Sequence, residues 1–572
     1  MKPNRCPQQP ASIHKLHTSK PITSQPPARG PAMPSYCLLT EPLLPAAGMD
    51  GPVFHTLPGL LAELCADRVE DIGDLAAHQQ QPFYQFLVQL AVLALVHADP
   101  DPDPDADPPD DEDTWRALLS ALAPDEAWSL VVADAAAPAF LQPPVPEGSL
   151  DRFTPLSDTA DGIDTLVTGR AVDLKPARAV RAKPHHWVYA LISLQTGMGF
   201  LGRGNYGIAR MNGGFSSRPM MELAPLSMRW GARLRRSLRV LLRDRARIFD
   251  EGDFEGTYAP GGAALLWLEP WDGKTSRPLS GLEPHFIEIC RRVRLVERDG
   301  RVVALGRPTD AARLDAKNRM GNLGDPWTPI DREAGKAVTF QSGAFDYRRL
   351  TRLLTNGSGI ALPTAMAPLP GDDPRMVLHA TVLVRGQGKT EGLERRVIPL
   401  STRTAALFQS HRKSPVERLD MLSARMIGDA GRAQAALGLG LALALEYRRN
   451  GPETKLSTDD KKIIPAREAL DRQIDGFFFH HLWRQLEVEE TSAEAESLRV
   501  AWHRAVRGAA TALFHRELDR LPEDAARVGP ARAAAMNLFH AMLNEHLPLP
   551  AQPGDESEKE TDDDDHPTDA AA

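Results

Sequence analysis

Cysteine is scarce in this chain: four in 572 residues, at Cys6, Cys37, Cys65 and Cys290. No two of them form a C-x-x-C pair, which argues against a zinc ribbon and against a disulfide framework. No metal centre is expected, and a reducing, cytoplasmic setting fits that usage. Long apolar runs are also missing. The most apolar stretch, residues 83–96, is too short to cross a bilayer and carries Gln85 and Gln89. It is expected to be a buried core helix, with no membrane partner. The first residues lack the basic-then-apolar order of a signal peptide. Residues 1–32, rich in Pro, Ser, Thr and Gln, read as a disordered leader, with Met33 an alternative first residue.

A basic net charge is absent too, and −9 looks wrong for a nucleic-acid binder. Its distribution changes that reading. Residues 99–113 (DPDPDPDADPPDDED) hold nine acids and no base, and residues 552–572 carry a net −8. Without these two blocks the remainder stands at +8. Acidic blocks of this kind are expected to be disordered. The first reads as an insertion in a surface loop and the second as a tail within residues 549–572.

Glycine is what the chain has in excess, in one place. Residues 191–219 read LISLQTGMGFLGRGNYGIARMNGGFSSRP, with seven glycines from Gly197 to Gly214. Arg203, Arg210, Arg218, Phe200, Tyr206 and Phe215 are interleaved with them. No regular element tolerates that density, because each glycine loses backbone entropy on ordering. Bare backbone with amide and guanidinium donors suits phosphate oxygens. Gly197, Gly199 and Gly202 also spell the dinucleotide fingerprint, which counts only between a strand and a helix. The sequence after Gly202 cannot open a helix. Gly388-Lys389-Thr390 ends like a P-loop, but Leu383 stands where its first glycine would be.

Two basic segments flank the glycines. Residues 170–183 carry Arg170, Lys175, Arg178, Arg181 and Lys183 against Asp173 alone. Residues 227–250 form the strongest helical pattern, with Trp230, Leu234, Leu238, Leu241 and Leu242 on one side and eight arginines over the rest. Arg235, Arg239 and Arg243 lie along one face, where a phosphate backbone or an acidic partner would fit. Helical patterns also cover 56–66, 82–97, 115–122, 125–133 and 187–196. Strand-like runs follow at 263–267 and 286–297. A hairpin turns at Asp299-Gly300, and a second, 375–398, carries Arg385, Gln387 and Lys389 at its tip. Beyond Pro399 the patterns are helical: 402–411, 415–427, 430–449, 465–487, 493–517 and 530–547, with a polar connector at 450–464. The fold class expected is α+β. A large mixed α/β domain (33–398) is followed by an all-α four-helix bundle (399–548).

The order of FLVQLAVLAL, PAFLQ, ALISLQT before a glycine loop, LLWLEP, GDPWTP and GQGKTEG resembles the CasA family. CasA is the large subunit of Cascade, the type I-E CRISPR surveillance complex. The resemblance covers residues 35–548 and implies a subunit with no catalytic site and no cofactor. It implies recognition of a protospacer-adjacent motif in duplex DNA, mainly from the minor groove, followed by target unwinding and presentation to a helicase–nuclease. By position, Gly199 and Gly202 match the family's groove-facing glycine loop, Gln387 its wedge and Lys317 its basic finger, with Arg319 the alternative. Residues 170–183 match the loop that meets the guide RNA 5′ handle and a neighbouring subunit. Arg203, Arg210, Arg235, Arg239, Arg243 and Lys389 complete the expected backbone or subunit contacts. An enzyme using a nucleotide cofactor at Gly197–Gly202, and a scaffold binding only protein, are the alternatives.

Overall fold

A computed structural model describes residues 36–49, 51–164, 182–211, 218–250, 254, 256–355, 359–386, 389–407, 413–450, 456–521 and 528–550. The expected leader, the tail beyond residue 550, and Arg170, Lys175, Arg178 and Gln387 lie outside them.

The α/β half is built around helix α2 (Ala77–Ala98), which packs against α3 (Glu112–Leu122), α4 (Pro184–Gly197) and α5 (Trp230–Asp250). Helix α1 (Leu57–Cys65) closes the layer; the Thr56 hydroxyl accepts the Gly59 amide at 3.0 Å and Pro58 sits in the first turn. Helix α2 begins five residues before Pro82, because the Gln79 side chain accepts the Ala76 amide at 3.1 Å and starts the helix there. It is apolar enough to cross a membrane, yet most of it is buried in this fold. Two of its glutamines are bonded inward: Gln81 Nε2 donates to the Arg218 carbonyl at 2.7 Å and Gln89 Nε2 to the His285 carbonyl at 2.8 Å.

Strands Arg292–Arg298 and Arg301–Arg307 form the expected hairpin, with Asp299 at φ +53° and Gly300 at φ +70°. Those left-handed values are what a two-residue turn between twisted strands requires. The strand expected at 286–297 is split. Leu282–Ile287 pairs in parallel with Tyr258–Leu265, and the chain then turns into the hairpin. The second hairpin, Met376–Gly386 with Lys389–Leu400, gains Met220–Pro225 as a third antiparallel strand. Residues 125–133 form only a short 3-10 turn, Asp125–Trp128.

Helices α6 (Tyr347–Leu354) and α7 (Thr402–Leu407) lead into the bundle of α8 (Lys413–Asn450), α9 (Ile464–Glu487), α10 (Ala493–Arg520) and α11 (Val528–His546). The two helices expected at 415–427 and 430–449 are one, α8. Asp429, which would suit a break, instead accepts the Trp502 indole N–H at 3.0 Å from α10. Glycine matters at Gly440, where a Cβ would lie 2.8 Å from the Phe514 ring, itself stacked on Phe539 at 4.1 Å. One hydrophobic core fills the α/β half. A second runs from Met221 and Leu223 through Leu378 and Val382 of the hairpin into the bundle, so the hairpin is packed with the helices.

The 99–113 segment differs from expectation. It is an ordered connector between α2 and α3, and its last residues, from Glu112, form the first turn of α3. Arg245 donates to the Pro100 carbonyl at 2.9 Å, and the Trp115 indole to the Pro109 carbonyl at 2.8 Å.

Candidate nucleic-acid interface

Helix α4 ends at Gly197, so the glycines follow a helix instead of opening one. The strand–glycine–helix context that a dinucleotide needs is absent here. After Met198 the chain folds back on itself. The Leu201 amide donates to the Asn205 carbonyl at 2.9 Å, Asn205 to Gly202 at 3.0 Å, and Ile208 to Met198 at 3.0 Å. A Cβ on Gly207 would lie 2.7 Å from the Gly199 carbonyl carbon, so the two limbs touch backbone to backbone. The two glycines assigned to one role therefore differ. Gly199 is buried in the neck; Gly202 is at the tip, at φ +103°, where an added Cβ meets nothing within 4 Å. Arg203 is exposed beside it and makes no ion pair among the described residues.

The loop is held from three sides. The Arg291 guanidinium donates to the Gly199 carbonyl at 2.9 Å. Arg291 is itself fixed by Gln195 of α4, whose side chain accepts the Arg291 amide at 2.8 Å and donates to its carbonyl at 3.0 Å. Thr309 donates its amide to the Gly204 carbonyl at 3.1 Å, and the Tyr206 hydroxyl donates to the Asp310 carbonyl at 3.0 Å. Near the tip of the 375–398 hairpin, burial and then the neighbouring Arg291 charge push Arg385 down to about 10. The hairpin's tip end and the glycine-loop neck are thus within electrostatic range of each other.

Lys317 and Arg319 share a 3-10 turn, seven and nine residues after Asp310. Lys317 is exposed and unpaired among the described residues. Arg319 donates to the Thr257 hydroxyl at 2.7 Å and lies over the Phe254 ring. Of the two candidates, Lys317 has the available cation. Lys389 pairs with Gly386 across the hairpin turn that contains Gln387, but the described residues include neither Gln387 nor the Lys389 side chain.

One expected phosphate contact is corrected, and the helix arginines have partners within the chain. Arg210 is buried; it donates to Glu288 at 3.0 Å and to the Phe286 carbonyl at 2.9 Å, over the Phe286 ring. All eight arginines of the 227–250 segment meet carboxylates. Arg229 and Arg235 reach Asp67, Arg233 reaches Glu222 and Arg236 reaches Asp372. Arg239 and Arg243 share Asp105, Arg245 reaches Glu283 and Arg247 reaches Asp244. The helix looked unbalanced only because its acids come from distant parts of the chain. At Glu222 burial alone would raise the carboxyl, but Arg233 and His379 beside it hold it at about 2.

Sequence reasoning missed Gln195, Arg291 and the pair Arg218–Asp325. A glutamine two residues before a glycine run, inside an apolar helix, was the available signal for Gln195. Arg218 grips Asp325 through two bonds of 2.7 and 3.0 Å, tying the end of the glycine stretch to the GDPWTP segment. Among the described residues one group has metal-like composition: Asp74, His185 and His186. Lys183 Nζ already sits 3.2 Å from Asp74, and its amide donates to His186 Nδ1 at 3.1 Å. That leaves the His186 proton on Nε2, facing Asp74, so the donor set suits an internal hydrogen-bonded cluster better than a cation.

Solved structures place this fold among the CRISPR-associated proteins. CasA (Cse1) of Thermus thermophilus is 18% identical with a TM-score of 0.60, covering 89% of this chain and 99% of that one. Cse1 of Acidimicrobium ferrooxidans gives 17%, 0.62, 91% and 99%; Cse1 of Thermobifida fusca gives 15%, 0.60, 90% and 98%. At such identities the likeness is one of fold. The sequence family described as CRISPR-associated protein Cse1 matches residues 38–513, and the chain belongs to that family. It is a CasA-type subunit of the type I-E CRISPR surveillance machinery. No curated protein sequence matches it.

Proposed function

We propose that this subunit recognises a protospacer-adjacent motif in duplex DNA and starts target unwinding. Gly202 and Arg203 meet the groove and its phosphates, Lys317 reads acceptors in it, and Gln387 wedges the first base step. The observation that carries this reading is the convergence at Arg291. Its side chain holds the glycine-loop neck, its charge is felt at Arg385 near the hairpin tip, and the loop's far limb is bonded to Thr309 and Asp310, just before Lys317.

Bare backbone approaches a narrow groove where side chains would clash. A lysine finds acceptors there on every base pair, so several motifs are tolerated. Separating a base step costs a few kcal/mol, offset by new contacts. Sequence beyond the motif is left to guide pairing. In this account residues 170–183 meet the guide RNA 5′ handle and a neighbouring subunit. The assembled complex then recruits the helicase–nuclease, in the cytoplasm and without a reaction of its own.

Targets closed or pre-opened at the seed test this. Lys317→Ala or Gly202→Asp in the assembled complex weakens binding to closed duplex and spares the bubble. Equal losses on both targets would refute the assignment.

A further inference from the structure

The ordered acidic connector has a specific place in the fold. Between its anchors at Pro100 and Pro109 it bulges over α5. A turn closed by the Ala106 amide on the Asp103 carbonyl, 3.2 Å, delivers Asp105 to the helix. One Asp105 oxygen accepts from Arg239 at 2.9 and 3.2 Å; the other accepts from Arg243. Residues four apart on a helix share a face, so a single anion bridges two parallel guanidiniums. That is the arrangement with which arginines hold phosphate.

The seat is incompletely filled. The other terminal nitrogen of Arg243, Nη1, is buried with no hydrogen-bond partner among the described residues. A half-open cavity of about 710 Å³ runs beside the pair, lined by Leu95, Pro104, Arg235, Leu238, Arg239 and Asp372 among others. Asp105 is 55% exposed, while Arg239 and Arg243 are 25% and 29% exposed. Among the described residues, Asp105 makes the connector's only side-chain bonds to α5. Exposed ion pairs are weak and salt-screened. The two arginines hold the Asp105 carboxyl below the usual range, Arg243 first, so it stays an anion at any ordinary pH.

We propose that the 99–111 connector is a built-in phosphate mimic. It occupies a sugar–phosphate seat on α5 made by Arg239 and Arg243, and a nucleic-acid strand laid along α5 displaces it. The connector thereby suppresses sequence-independent binding by the protein alone. This rests on the reading that the chain works on nucleic acid, which supplies the competing polyanion.

The test uses the full chain and a labelled mixed-sequence DNA without the motif, single- and double-stranded, followed by fluorescence anisotropy over a salt series. Asp105→Asn should bind more tightly than wild type. Its slope of log K against log salt should steepen by about 0.9 on duplex and about 0.7 on single strand, as one phosphate is gained. In an Arg239→Gln/Arg243→Gln background the same change should do nothing. Equal affinity and slope for wild type and Asp105→Asn, at equal thermal stability, would overturn the proposal. So would a gain that persists without the two arginines, since that is general charge repulsion. Lost folding cannot imitate a gain of binding. If motif recognition alone fails, the Asp105 effect remains on motif-free DNA; if the mimic alone fails, motif preference of the complex remains.

Discussion

Replacing Arg218 with methionine removes one half of a fully enclosed ion pair. The Arg218 side chain is 3% exposed and that of Asp325 is 0% exposed. Burial alone would raise the Asp325 carboxyl, but Arg218 outweighs it and keeps the group ionised. Without the guanidinium a buried carboxylate retains the Thr328 hydroxyl, at 2.9 Å, and the more distant Arg210 charge. Breaking such a pair from one side costs about 3–5 kcal/mol. Loss of the Trp327 stacking and of two long bonds to Gln89 Oε1, both 3.3 Å, adds up to about 1 kcal/mol. We expect about 4 kcal/mol in total. Arg218→Met/Asp325→Leu removes both charges and should recover at least about 2 kcal/mol of the summed single losses. Urea unfolding followed by tryptophan fluorescence reads this, taking the first transition because the described residues form two large cores. A single-variant loss below about 1 kcal/mol, or strict additivity in the double variant, would refute the reasoning.

Further outcomes follow from other sites. Burial, with His480 and Arg484 beside it, lowers His481 to about 4. The unfolded chain therefore binds more protons below about pH 6.5, so this stability is full above that pH and is lost as pH falls through 4. The full shift corresponds to about 3 kcal/mol, and partial exposure reduces it to about 1–2 kcal/mol. His481→Gln should flatten stability against pH in that window; an unchanged slope contradicts the assignment. Gly207→Ala should destabilise the loop, because its Cβ would lie 2.7 Å from the Gly199 carbonyl carbon and force the limbs apart. Gly202→Ala, strained in φ but sterically free, should cost only about 1 kcal/mol; hydrogen exchange of the loop amides separates the two. Gln387→Ala should leave assembly intact and slow target opening, read by permanganate footprinting; equal opening rates would exclude the wedge.

Local chemistry made much of this legible. The N-cap at Thr56, the Asp299-Gly300 turn and the long bundle helices are set by neighbours within a few residues, and sequence shows those. The partners of the α5 arginines were not legible because Asp67, Asp105, Glu222, Glu283 and Asp372 are joined to them only by the fold. The acidic connector looked disordered for the same reason, since its ordering comes from Arg239, Arg243 and Arg245. Helix α8 looked broken at Gly428-Asp429 because Trp502, which binds Asp429, lies 73 residues away. The glycine loop was visible as a loop; that Gly199 is its neck and Gly202 its tip needed the backbone pairing.

The central claim is that flanking duplex sequence is read through the Gly202 tip and Lys317. Its most direct test selects, with assembled complex, from duplex targets that share one protospacer and carry randomised flanks. The account predicts enrichment of a small set of related flanks by the wild type, and loss of that enrichment with Gly202→Asp or Lys317→Ala while guide-matched pre-opened targets still bind. Flank-independent binding by the wild type, or unchanged enrichment in both variants, would contradict it.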